Sequence, residues 1–144
     1  MARIPVDLAK ARVFVYETMI REQHLDFFGH VNNSAYTVLF EEARWEMITS
    51  GGYGAAETQR TGVGPIILDM HLRFKKELKN RERIRIESRC IKYSGRIGTL
   101  GQTMLNAAGE TACAAEYTYA LFDLKERRLV EPTAAWVRAL GFDD

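Results

Sequence analysis

The chain of 144 residues has little of what usually marks a small protein's class. It carries two cysteines, three prolines and three histidines. Cys90 and Cys113 are too few for a disulfide framework and are not spaced as a metal-binding pair. They are expected to be buried, reduced thiols in strands, which points to a reducing compartment, the cytoplasm. His24, His30 and His71 offer no pair at helical ligand spacing, so no metal site is expected. Charge of one sign is also missing: 20 basic against 19 acidic side chains leave a formal +1. That balance gives no general electrostatic reason for a nucleic acid or an anionic membrane as partner. No apolar run approaches membrane-spanning length. The opening "MARIPVDLAKARVFVYE" lacks the apolar block and cleavage site of a signal peptide. Low-complexity tracts and solenoid-period repeats are absent too.

What is present is 47% hydrophobic residues in a length that can bury its own core, so one domain over residues 1–144 is expected. "RVFVYETMI" (12–20) is dense in β-branched and aromatic residues and reads as a first strand. A loop over 21–31 follows, with Gly29 free to turn where other residues resist. From Asn33 to about Thr49, Tyr36, Leu39, Phe40, Ala43 and Met47 recur at three- and four-residue steps, the pattern of a helix with one apolar face. "SGGYG" (50–54) ends it with Gly51 as cap, and 55–65 reads as a loop closed by Gly64 and Pro65.

"IILDMHLRFKKEL" (66–78) then alternates. Leu68, Met70, Leu72 and Phe74 are expected on a dry face and Asp69, His71, Arg73 and Lys75 on a wet one. "RERIRIESRCIKYS" repeats the device, with Ile84, Ile86, Ser88 and Cys90 inward against Arg83, Arg85, Glu87 and Arg89. "GTLGQTMLN" and "ETACAAEYTYALFDL" are two more strands joined near Ala108–Gly109. "KERRL" is a turn, and "EPTAAWVRAL" a short closing helix or an extended tail. One amphipathic helix cannot cover both faces of so large a sheet. The economical α+β arrangement is a curved antiparallel sheet wrapped around that helix, with an edge that invites a second subunit.

The chemistry-bearing residues crowd into "HLDFFGHVNNSAY" (24–36). Asn32 and Asn33 are good amino-terminal caps. The first helical N–H groups have no intrahelical partner, and the helix dipole adds partial positive charge there. The N–H of Asn33 can therefore hold a developing oxyanion. Asp26, seven residues upstream, can act as a nucleophile or as a general base on water, with Phe27 and Phe28 placed to exclude solvent. A thioester suits so sparse a set, because a thiol of pKa about 8.5 leaves with little acid assistance and the attack needs only an activated oxygen and an oxyanion donor. On the residues alone a plainer reading stands beside this one: two capping amides, an Asp that hydrogen-bonds a turn, and His30 as an orienting imidazole.

The stretch "HLDFFGHVNNSAYTVLFEEARWEM" resembles the signature region of the 4-hydroxybenzoyl-CoA thioesterase-like branch of the hotdog-fold thioesterases, where D-x-x-G-H-V-N-N-x-x-Y precedes the central helix. The match runs through Asp26, Gly29, His30, Val31, Asn32, Asn33 and Tyr36. The resemblance implies a hotdog fold and hydrolysis of an acyl-CoA or acyl-carrier-protein thioester. It implies Asp26 as the catalytic acid residue, Asn33 at the N–H that polarises the carbonyl, and Gly29 as the turn. His30 and Asn32 would orient the loop or touch substrate, with Val31 and Tyr36 beside it. No cofactor is implied beyond the CoA that the substrate itself carries, and a homodimer or a tetramer is implied, with sites at the subunit boundary.

His24 is a departure, since many relatives carry Asp there. Lys92 and Arg96, around the turn in "CIKYSGRIGT", either pair with CoA phosphates or decorate a solvated hairpin. Two other functions remain open at this level. One is an enoyl-thioester hydratase using Asp26 and His30 as acid and base; the other is a non-catalytic module that binds acyl thioesters.

Overall fold

The computed structural model describes residues 6–142, and the expectations for the first five and last two residues lie outside the described residues. In chain order the elements are β1 (Phe14–Met19), α1 (Asn33–Ser50), α2 (Ala55–Thr61), β2 (Val63–Phe74), β3 (Arg83–Ser94), β4 (Ile97–Leu105), β5 (Thr111–Asp123), β6 (Arg128–Val130) and α3 (Ala134–Ala139). The strands form one sheet in the order β1-β3-β4-β5-β2, with β6 on β5, and every pairing is antiparallel. The sheet curls around α1. This is the expected hotdog architecture.

Why the sheet wraps the helix can be read from burial. In β3, Ile84, Ile86, Ser88 and Cys90 are all buried while Arg83, Arg85 and Arg89 are exposed, so one face is dry and the other wet. The amino half of α1 supplies Ala35, Tyr36, Leu39, Phe40 and Ala43 to a cluster with Ile84, Ile86, Met104, Cys113 and Tyr117. Its carboxyl half puts Met47 and Ile48 into a second cluster with Cys90, Leu100, Tyr119 and Trp136. A buried polar clamp joins helix to sheet between them. Gln102, 1% exposed, donates to the Phe40 carbonyl at 3.1 Å and the Ser88 hydroxyl at 3.0 Å, and accepts from Arg44 at 3.0 Å. The Arg44 guanidinium lies 4.0 Å over the Tyr117 ring. Buried polar groups persist only when satisfied in this way, so the clamp sets how α1 lies in the sheet.

Both ends of α1 are determined locally. The Asn32 side chain accepts from the Ser34 N–H at 3.0 Å. At the other end Gly51 is required by space, because a Cβ there would sit 2.6 Å from the Cα of Ala139 in α3; Gly52 takes the positive φ of 93°.

Three segments differ from their sequence reading. Residues 55–61 form α2, not a loop. None of them is buried, so the helix has no apolar stripe to betray it. The "KERRL" turn is shorter than expected, and Arg128–Val130 pair with β5 as β6. The supposed dry face of 66–78 is also altered. The ladder skips Leu68 as a bulge between Ile67 and Asp69, and β2 ends at Phe74. Because β2 is the last strand of the sheet and α1 packs on β1 and β3, Leu68, Met70 and Phe74 remain 44%, 57% and 53% exposed. Among the described residues no helix is long and apolar enough to cross a membrane.

Candidate active site

The loop before α1 is a miniature hairpin. The Asn32 N–H donates to the His24 carbonyl at 2.8 Å, Leu25 bridges Val31, and the Asp26 N–H donates to the His30 carbonyl at 2.7 Å. Phe27, Phe28 and Gly29 form its tip, and Gly29 sits at φ 79°, where a side chain is strained. Two side chains tie the ends down. The ring of His24 is buried and its Nδ1 accepts from the Arg21 N–H at 2.9 Å; this departure from the motif therefore serves the loop. Val31, 7% exposed, anchors the other side in the core.

This hairpin aims Asp26. Its Oδ1 accepts from the N–H of Phe28 at 2.8 Å and of His30 at 3.1 Å, and among the described residues Oδ2 has no partner. The turn-forming role is thus confined to one oxygen of the carboxylate, which leaves the other without a protein partner among the described residues. Asn33 begins the helix one residue after the cap, and among the described residues its N–H donates to nothing. A helix of 18 residues ends behind that N–H, which carries the partial positive charge of the aligned peptide dipoles.

Asp26, His30, Val31, Asn33 and Tyr36 line one concavity of about 390 Å³. Its far wall is Phe74, Lys75, Lys76, Glu77 and Leu78. Tyr36 meets Phe74 edge to face, centroids 5.0 Å apart. Burial, then the neighbouring Cys113 thiol and Glu77 carboxylate, raise the Tyr36 hydroxyl above its ordinary range, so it stays a proton donor at neutral pH. The His30 ring is exposed, with Nε2 3.6 Å from a Glu77 oxygen. Asn32 is used as the cap, its Oδ1 accepting from both the N–H and the hydroxyl of Ser34.

Other sequence candidates lie elsewhere. Phe27 and Phe28, expected to shield the carboxylate, are 105% and 84% exposed. Lys92 and Arg96 flank the β3–β4 turn at the end of the sheet occupied by the second core cluster, and Arg96 reaches Glu131 at 3.5 Å. Neither borders the concavity. The wall 74–78 is not legible as part of the site from the sequence. It arrives through a non-local contact, the N–H groups of Lys75 and Lys76 both donating to the Ala112 carbonyl. Lys76 also pairs with Glu110. The only sequence signal was the charged "KKE" directly after an apolar strand. Among the described residues no group of three or more His, Cys, Asp or Glu is placed to hold a metal ion.

A sequence model of the Thioesterase-like superfamily matches residues 20–140. The chain is 26% identical over 110 residues to the long-chain acyl-CoA thioesterase FadM of Escherichia coli (strain K12), spanning 76% of this chain and 83% of that protein. It is 25% identical over 126 residues, 88% of its length, to an L-carnitine dehydrogenase/betainyl-CoA thioesterase of Agrobacterium fabrum, of which it spans 26%. Among solved structures, a hypothetical protein from Staphylococcus aureus in complex with CoA superposes with a TM-score of 0.83 at 16% identity, covering 90% of this chain and 82% of that one. At that identity the likeness is one of fold.

Proposed function

The chain belongs to the thioesterase-like superfamily, and from that premise we propose that it hydrolyses an acyl thioester, of CoA or of an acyl-carrier protein, to the free acid and the thiol. The carbonyl oxygen of the substrate lies at the N–H of Asn33, where the helix end stabilises the negative charge that grows during attack. Oδ2 of Asp26 either adds to the carbonyl carbon as nucleophile or draws a proton from a water that adds in its place. In both routes a C–O bond forms, the C–S bond breaks, and the departing thiolate takes up a proton; in the nucleophilic route the acyl–aspartyl anhydride so formed is then cleaved by water, which releases the free acid and restores the carboxylate. Oδ1, held by two backbone N–H groups, keeps the carboxylate from rotating.

The observation that carries this reading is that Asp26 and Asn33 line one concavity, and that among the described residues the Asp26 Oδ2 and the Asn33 N–H have no protein partner. The relative whose name records long-chain acyl-CoA hydrolysis supports the substrate class. Its test is release of free thiol from a panel of acyl-CoAs and acyl-carrier-protein thioesters by the wild type and by Asp26→Ala. The reading predicts turnover of at least one class, with a loss on the order of a hundred-fold or more in the variant. No turnover on any member, or equal rates for both proteins, contradicts it.

The protein works as a homodimer in this reading, or as a tetramer built from such dimers, because the exposed apolar edge of β2 is the surface such a sheet must cover.

A further inference from the structure

Two adjacent aromatic rings stand in water beside the reaction centre, Phe27 and Phe28 at the tip of the hairpin that aims Asp26. The tip is stiff. Backbone bonds between Asp26 and His30 and between Asn32 and His24 close the loop beneath it, and Oδ1 of Asp26 holds the Phe28 N–H. A stiff loop that presents two rings to water forgoes their burial, and such a patch marks a surface that another molecule covers. The connection from β2 to β3 runs against the base of this hairpin. The Ile20 N–H donates to the Glu82 carbonyl, the Arg81 N–H donates to the Ile20 carbonyl, and Arg81 pairs with Glu22. Residues 73–85 hold seven Lys or Arg against two Glu, in a chain whose formal charge is only +1. Of these cations, Lys75, Lys79 and Arg83 are exposed and have no ion-pair partner among the described residues.

Resting on the hydrolase reading, we infer that the Phe27–Phe28 tip and these cations dock an acidic carrier domain, so that the thioester reaches Asp26 on the phosphopantetheine arm of an acyl-carrier protein and not on free CoA. Both carriers offer the same arm and differ in what stands at its far end. CoA ends in phosphates crowded onto one nucleotide, and cations that bind such a cluster must converge on it. Lys75, Lys79 and Arg83 do not converge. Lys75 borders the Asp26 concavity, Arg83 borders a separate hollow of about 570 Å³ between β1 and the β4–β5 turn, and Lys79 borders neither.

Spread cations beside an apolar tip match a protein surface of the opposite make, with carboxylates spaced along it and an apolar patch where the arm is attached. The charges steer the encounter and fix its orientation. The two rings supply the part of the contact that is fully desolvated. Phe27 follows Asp26 directly in the chain, so a domain resting on the tip delivers its arm at the mouth of the concavity. An anionic lipid surface also offers charge and an apolar interior, but it presents no thioester arm to the groups that these residues surround.

The test places one acyl group, the best of the thioester panel, on CoA and on an isolated acyl-carrier protein. For the wild type kcat/KM should be about ten-fold higher on the carrier protein. Phe27→Ser, Lys79→Glu and Arg83→Glu should each lower kcat/KM on the carrier substrate about ten-fold, through KM, and stay within about two-fold of the wild type on the CoA substrate. Circular dichroism checks each fold, and Phe27→Ala, Lys79→Gln and Arg83→Gln replace any variant that loses it. A wild type that prefers CoA overturns the inference, as do equal losses on both substrates or no loss on the carrier. Light scattering and sedimentation with phosphatidylcholine–phosphatidylglycerol vesicles complete the set. Variants that separate the copies of the chain, or that leave the vesicles, while the carrier rate is unchanged assign the tip to a second chain or to lipid and overturn the inference too. Each of these results leaves the hydrolase reading intact. A wild type that cleaves neither thioester overturns the hydrolase reading itself and this inference with it.

Discussion

Asp26 and His30 are locked face to face: the N–H of Asp26 donates to the His30 carbonyl at 2.7 Å, and Oδ1 of Asp26 accepts from the His30 N–H at 3.1 Å. This pair closes the hairpin that leads into α1. It turns a flexible side chain into a carboxylate with one oxygen committed and one available, beside the electropositive start of an 18-residue helix.

The tip of that hairpin depends on Gly29 at φ 79°, with nothing within 4 Å of the position a Cβ would take. Gly29→Ala therefore meets no clash and suffers only the backbone penalty, about 1 kcal/mol. The melting temperature should fall by about 2–4 °C, and kcat should fall further than that small loss suggests, since the carboxylate it aims is disturbed. A circular-dichroism melt beside a thiol-release assay checks both.

Gln102 holds α1 to the sheet with three hydrogen bonds while 1% exposed. Gln102→Leu fits the space but strands the Ser88 hydroxyl and the half-buried Arg44. A destabilisation of about 3 kcal/mol is expected, read from urea unfolding midpoints at unchanged slope.

Alkaline pH should weaken the fold. Burial pushes the Cys113 thiol from its ordinary 9.0 up to about 11 and the Tyr93 hydroxyl from 10.0 up to about 12, and it raises Tyr119 as well. In the folded chain these groups keep protons that the unfolded chain has already lost. The folded state thus binds more protons above about pH 9, and stability falls as pH rises through the raised values. Melts in a buffer series from about pH 8 to about pH 12 should show midpoints that decline chiefly above pH 9.

Much of this architecture is legible from local pattern. The helix from Asn33 announces itself through Tyr36, Leu39, Phe40 and Ala43, and the site's first half through one contiguous stretch, 21–34, whose loop hydrogen bonds are local. What escapes such reading is non-local. Residues 74–78 become a wall of the concavity only because Ala112, on another strand, accepts from Lys75 and Lys76. Lys92 and Arg96 stand at the opposite end of the sheet because strand direction, which composition does not encode, carries their turn there. The alternation in β2 is plain in the sequence, but alternation cannot tell a covered strand from an edge one, and Met70 and Phe74 lie open.

That edge yields a fourth prediction. If β2 is the dimer seam, Met70→Asp places a charge in it that must be desolvated. Light scattering should give the mass of two chains, or a multiple of it, for the wild type and of one chain for the variant. Thiol release should be lost together with the assembly.

The most direct measurement concerns Asp26→Asn, which keeps a side-chain oxygen for the N–H groups of Phe28 and His30 while removing the charge. On the best thioester of the panel, kcat should drop by about a hundred-fold or more, with a melting temperature close to that of the wild type. A variant that hydrolyses the thioester at the wild-type rate would contradict the account.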